Sequence, residues 1–288
     1  MSIVVLTDST ACLPRDLAAQ AGVRVIPLHV TVGRQTLSEG VDISTSEVAE
    51  LLRAGKEKVG TSRPAPGEFV ELYRELARET GCDSIVSVHL SAAISGTVEA
   101  AEMAAAEVRD QVAVEVVDSQ ILGMAMGYAA WSAVDAVAAG ASAAAAAEVA
   151  RARCAASATY FYVDSLEYLR RGGRVGAAQA LLGSALAIKP LLTLADGEVR
   201  LEEKVRTRGK ALARLEEKCL EVATTVPPEQ GVDVAVHHFG WLEQAEEVRE
   251  RLRAALPDDC RVDLVELGAV AGVHSGPGTL AVAVAPRV

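Results

Sequence analysis

The sequence predicts an α/β protein of two domains: an N-terminal domain (residues 1–157) with a largely parallel sheet and a C-terminal domain (158–288) with a mixed or antiparallel one. Three observations carry this. Up to about residue 157, short β-branched runs alternate with helix-length segments, a pattern that needs crossover connections and so favours parallel strands. Beyond it, strand-like runs follow one another directly across a hairpin signal. And 288 residues, half of them apolar, are enough for two cores.

The elements follow in order. Ile3–Leu6, Val23–Pro27, Ile85–Val88 and Val114–Val117 are buried-strand runs of four or five residues. Between them, Pro14–Ala21, Ser46–Arg53, Gly67–Glu79 and Gly96–Val108 space their apolar residues for helices. Ser44 and Glu47 form a capping box ahead of the second of these. The Ala-rich stretch 141–158 is interrupted by Glu148, Arg151 and Arg153, which makes it a helix and not a membrane span. Thr159–Val163 is a strand, followed by two short helical segments around Gly172 and Gly173. Leu191–Leu194 and Val199–Val205 flank Asp196-Gly197, a strong hairpin signal. A charged helix (Arg208–Ala223), a strand (Val232–His237), a helix (Ala245–Leu256) and strands Val262–Glu266 and Leu280–Val284 complete the chain.

Composition excludes several functions. A net charge of −11 is the wrong sign for nucleic acid or an anionic membrane surface. Five scattered cysteines without a C-x-x-C pair argue against zinc and for a reducing compartment. The first residues reach Asp8 without a basic or long apolar stretch, so they read as a strand and not a signal peptide, and a cytoplasmic location is expected. Gly276–Ala281 matches the letters of a dinucleotide motif but has too little chain after it for the helix and strand that motif requires. His237 and His238 end a strand, where successive side chains point opposite ways; one buried and one exposed ring is expected, not a metal site.

Four segments remain. Residues 60–69, GTSRPAPGEF, form a Pro-rich loop opening a helix; Thr61 or Ser62 can end the preceding segment and Pro66 suits a helix start. Residues 89–100, HLSAAISGTVEA, place Ser91, Ser95, Gly96 and Thr97 before a helix, where one hydroxyl can cap and a free N-terminus favours an anion. Residues 166–183, LEYLRRGGRVGAAQALLG, hold a Gly-Gly pair with Arg170, Arg171 and Arg174, all usable as ordinary helix-end cations. Residues 271–282, AGVHSGPGTLAV, put His274 before a Gly-Pro-Gly turn. Together they supply hydroxyls, a cation and an imidazole, a set suited to holding an anion.

TDST (7–10), TSRPAPGEF, SAAISGT, LEYLRRGGRVG and HSGPGT occur here in the order of the signature segments of DegV proteins, which the chain resembles over essentially its whole length. These are similar to the fatty-acid-binding (FakB) subunits of bacterial fatty acid kinase. The resemblance implies a non-enzymatic lipid carrier with no cofactor of its own. It would bury a long-chain fatty acid and present its carboxylate to a separate kinase catalytic subunit, the acyl phosphate then feeding phospholipid synthesis. By matching motifs, Thr61 and Ser95 bind the carboxylate, Arg174 and His274 support them, and Asp8, Ser9, Thr10, Ser62, Gly96 and Thr97 lie near the site. One departure is Ala92 and Ala93, where the family often has hydroxyls. The alternative is a hydrolase or transferase with Ser95 as nucleophile and His274 as base, although no third triad member or nucleophile elbow is identifiable.

Overall fold

A computed structural model of the chain describes residues 2–176, 178 and 189–288. The first part runs β1 (Ile3–Asp8), α1 (Arg15–Ala21), β2 (Val23–Ile26), β3 (His29–Val32), β4 (Gln35–Ser38), α2 (Thr45–Ala54), β5 (Val59–Ser62), α3 (Pro66–Thr80), β6 (Ser84–His89), α4 (Thr97–Val108), β7 (Ala113–Asp118), α5 (Met124–Ala138) and α6 (Ala143–Ala156). The second runs β8 (Ala158–Tyr162), α7 (Glu167–Arg171), β9 (Lys189–Ala195), β10 (Glu198–Val205), α8 (Arg208–Thr225), β11 (Val232–Phe239), α9 (Leu242–Ala255), β12 (Arg261–Glu266), α10 (Ala269–Ser275) and β13 (Thr279–Pro286).

Both expected sheets are present. The first is parallel throughout, in the order β2-β1-β6-β7. The second is mixed, in the order β10-β9-β8-β13-β11-β12, with only the β11–β12 pair parallel. Asp196 and Gly197 both take positive φ (51° and 79°), the conformation a type I′ turn needs, and β9 and β10 pair across them. The Ser44–Glu47 capping box forms in both directions, with Ser44 N donating to Glu47 Oε2 at 2.8 Å and Glu47 N to Ser44 Oγ at 3.3 Å.

The two sheets share one pair of helices. Alternation sends Val5 and Val86 to one face of the first sheet and Leu6 and Ile85 to the other. The latter face is covered by α3 and α4, whereas α5 and α6 fill the space between the two sheets, touching β1, β6 and β7 on one side and β11 and β13 on the other. Helices α8 and α9 cover the far face of the second sheet. The result is five layers, α/β/α/β/α. Alanine is what makes the central layer possible: Ala125, Ala129 and Ala133 of α5 and Ala146 and Ala150 of α6 meet Ala235, Ala283 and Ala285 of the sheet. The opposite face of the same strands carries Val234, Val236, Val282 and Val284. Small side chains let backbones approach; branched ones supply bulk under α8 and α9.

Two local expectations change. Residues 59–62 are not a loop: they form β5, the edge of a small antiparallel sheet ordered β4-β3-β5. His237 and His238 are both buried, because β11 is central and covered by helices on both faces. No ring is exposed there, and no metal-binding cluster occurs among the described residues. His274 lies in the last turn of a short helix, α10, just before the Gly-Pro-Gly turn. The first short helix expected near Gly172 is α7; the second falls on residues 177 and 179–188, outside the described residues. No described helix is long and apolar enough to cross a membrane.

Candidate functional site

A cavity of about 330 Å³ lies between the inner face of the second sheet, the small sheet and the loops following β6 and β7. Its wall is mainly aliphatic, with Leu28, Leu90, Ile94, Leu122, Leu267 and Val270 representative. The volume sits at the lower end of small-molecule sites, roughly 300–1,000 Å³.

One part of the wall is polar. Thr61 is held on β5 by pairing with Val30 of β3, and its Oγ1 lies 2.7 Å from Nε2 of His274 on α10. Sheet and helix come from opposite ends of the chain, so this contact joins the two parts at the cavity. Burial, helped by the nearby Arg174 charge, pushes the His274 pKa down to about 4, and the ring is neutral near pH 7. Its Nδ1 has no hydrogen-bond partner among the described residues. Gly172 backs against this ring so closely that a Cβ there would lie 2.1 Å from Nδ1, so the first glycine of the pair is required by contact.

Arg174 follows that pair. Its Nε donates to the Ile94 carbonyl at 3.0 Å and its Nη1 to the Gly172 carbonyl, so one guanidinium ties the Gly-Gly turn to the loop carrying Ser95. Ser95 Oγ and Thr97 Oγ1 are 2.8 Å apart. Neither caps α4: its N-cap is Gly96, without a side-chain cap bond. Next to them Ser91 does the docking, its Oγ donating to the Gly197 carbonyl at the tip of the β9–β10 hairpin (2.8 Å).

Thr61, Ser62, Ser95, Gly96, Arg174, His274 and Thr10 all line the cavity. Asp8, Ser9 and Thr97 do not. Asp8 is fully buried, where Oδ1 accepts from Thr10 N (3.0 Å) and from the Thr10 hydroxyl, and Oδ2 accepts from Leu90 N (3.0 Å) and contacts His89 Nδ1 (3.0 Å). It fixes the ends of β1 and β6. Ser9 accepts from Leu28 N (2.9 Å) and bonds Glu39. Glu39 in turn accepts from Val270 N (2.8 Å) at the start of α10, and burial raises its pKa. Among the polar lining residues, Arg63, Thr159, His237, Ser275 and Thr279 were not anticipated. Arg63 stands within the motif that names Thr61, the one signal that pointed to it. Thr159 and His237 reach the cavity only through strand pairing, which no local pattern announces.

Seryl catalysis requires a nucleophile–base bond and an orienting group. Among the described residues Ser95 bonds Thr97, His274 bonds Thr61, and no carboxylate contacts His274. What the arrangement offers is hydroxyl donors and a guanidinium beside an apolar cavity, a place for an amphiphilic anion.

Comparison with known proteins identifies relatives over essentially the whole chain. Residues 2–287 match a family described as "Uncharacterised protein, DegV family". The chain is 47% identical over 285 residues to a DegV domain-containing protein of Streptomyces coelicolor, covering 99% of each. Among solved structures it superposes on DegV of Bacillus subtilis, described as a fatty acid binding protein, with a TM-score of 0.91, 34% identity and full coverage of both chains. It also superposes on a DegV family protein of Thermus thermophilus, described for its fatty acid binding, with a TM-score of 0.88 and 33% identity over 99% of this chain and 100% of the other.

Proposed function

The chain belongs to the DegV family, and from that premise we propose that it is a fatty-acid carrier, which holds the acyl chain in the cavity and the carboxylate at the Thr61–Ser95–Arg174–His274 cluster. The observation that carries this reading is the pairing of one aliphatic cavity with one polar corner. A chain of roughly 16 carbons gains on the order of 11 kcal/mol gross, at about 0.8 kcal/mol per buried methylene, before the costs of association. An ionised head group needs compensation at the same time, since an unpaired charge loses several kcal/mol on leaving water. Thr61 and Ser95 hydroxyls donate to the carboxylate in this reading, Arg174 supplies the opposite charge, and neutral His274 holds Thr61 in place.

The carrier presents that carboxylate to a separate ATP-dependent kinase, which converts it to an acyl phosphate for phospholipid synthesis. Support comes from the sequence, where nucleotide-binding patterns are lacking, and from the cluster's position at the cavity wall, with Ser95 and Arg174 carried on loops. The protein itself is then no enzyme. All five cysteines are unpaired thiols, which fits the reducing cytoplasm.

The head-group assignment is tested by presenting delipidated protein, loaded with fatty acid, to a fatty acid kinase. Thr61→Ala and Ser95→Ala should each slow acyl phosphate formation by about tenfold or more, the cost of about one charge-assisted hydrogen bond, with circular dichroism unchanged. Normal rates in both variants would refute the assignment.

A further inference from the structure

Charge is scarce in the cavity wall. Among the described residues that line it there is no Asp or Glu, and Arg63 and Arg174 are the only cations, because burial keeps His237 and His274 neutral near pH 7. In a chain of net charge −11, two guanidiniums in an otherwise uncharged wall make a local positive field. They are not equivalent. Arg174 already donates through Nε and Nη1 to the carbonyls of Ile94 and Gly172. Arg63 has no hydrogen bond or ion pair among the described residues, and residues 177 and 179–188 contain no acidic side chain to supply a counter-charge.

The place of Arg63 follows from its neighbours. It comes directly after β5, the strand that carries Thr61, and its side chain lies against Gly96, next to Ser95. A Cβ on Gly96 would stand 2.7 Å from Arg63 Nε and 3.0 Å from its Cδ, so the missing side chain at 96 is what makes room for it. Thr61, Arg63, Ser95 and Gly96 are all partly exposed, whereas the aliphatic lining residues Leu28, Leu90 and Leu267 are buried. The polar corner is therefore where the cavity meets water. None of the Arg63 nitrogens is sealed from solvent without a partner, which leaves its donors accessible to a ligand oxygen.

A carboxylate held between Thr61 and Ser95 leaves a full negative charge at that opening. Hydroxyls share the charge without neutralising it, and a cation with free donors does neutralise it. We propose that Arg63 pairs directly with the carboxylate and makes the site select ionised over neutral head groups, while Arg174 adds its charge and holds the loop of Ser95. The inference rests on the fatty-acid reading above and assigns charge selectivity within it.

The test measures dissociation constants of delipidated protein for palmitate and for hexadecanol, which has the same chain length and no charge. Wild type is compared with Arg63→Gln and Arg63→Lys, and nuclear magnetic resonance of carboxyl-labelled palmitate follows the titration of the bound head group. Arg63→Gln should bind palmitate about tenfold more weakly, a loss of about 1.4 kcal/mol, with hexadecanol changed by less than about threefold. The same loss raises the titration point of the bound carboxyl by about one pH unit, a shift that a merely structural role would not produce. Arg63→Lys, which keeps the charge, should recover most of both effects. If Arg63→Gln keeps the wild-type ratio of palmitate to hexadecanol affinity, whether both are unchanged or both weaken together, the inference fails while the carrier reading stands. An unshifted carboxyl titration also overturns it. If the wild type binds neither ligand, both fall.

Discussion

Gly172 offers a test in which one methyl group acts through one ring. Its φ is −74°, so alanine meets no backbone penalty there. The added Cβ, however, would stand 2.1 Å from His274 Nδ1 and 2.9 Å from Cε1. Ordinary contact begins near 3.4 Å, so the ring must retreat by more than 1 Å (3.4 − 2.1 = 1.3 Å). The Thr61 Oγ1–His274 Nε2 bond is 2.7 Å and does not survive a displacement of that size. Losing one hydrogen bond and leaving its partner misdirected costs about 1–3 kcal/mol, so Gly172→Ala should weaken fatty-acid binding by about five- to 150-fold. Isothermal titration of delipidated protein reads the affinity, and thermal melting reads the fold. Because the effect runs through the ring, the Gly172→Ala/His274→Ala double variant should bind like His274→Ala alone. Unchanged affinity in Gly172→Ala, or additive losses in the double variant, would refute the reasoning.

Two further predictions concern stability. His237 and His274 are neutral when folded, with burial holding both pKa values down to about 4, whereas the unfolded chain takes up protons near pH 6.5. Stability is therefore full above about pH 6.5 and falls as pH drops towards 4, by up to roughly 3 kcal/mol for each ring; urea titrations across that range should show the decline, and His237→Gln should make it shallower. Arg153, only 5% exposed, bonds Asp233, Ser132 Oγ (2.7 Å) and the Tyr128 carbonyl (3.2 Å) between α5 and the second sheet. Arg153→Met should destabilise by about 3–5 kcal/mol by stranding part of the Asp233 charge, and Arg153→Met/Asp233→Leu should recover much of the loss; equal stabilities of the single and double variants would contradict this.

Much of this architecture is legible locally. The capping box at Ser44, the Asp196-Gly197 turn and the β-branched runs of β1 and β6 state their conformations within a few residues. Helix α5 does not. It is enclosed between two sheets and buried on nearly every side, so it shows no apolar stripe against a polar one. The small sheet escaped for a different reason: its strands are four residues each, too short for alternation to stand out from a Pro-rich loop. At the site, motifs brought Thr61, Ser95, Arg174 and His274 to one cavity wall although they are far apart in the chain. Asp8 and Ser9 share a motif with Thr10 and stand directly behind the cavity wall, bonding the lining residues Thr10, Leu90 and Leu28 within the scaffold. Thr159 and His237 needed the register of β8, β13 and β11 before they became neighbours of the cavity.

The central claim is that the cavity holds a fatty acid by its carboxylate and its chain together. Organic extraction of protein purified from its expression host, followed by mass spectrometry, tests it most directly when wild type is compared with Ser95→Ala. The wild type should yield near-stoichiometric fatty acid, and the delipidated protein should rebind it, with lower occupancy in Ser95→Ala. A wild-type extract free of acyl chains, from protein that also fails to bind added fatty acid, would contradict the account.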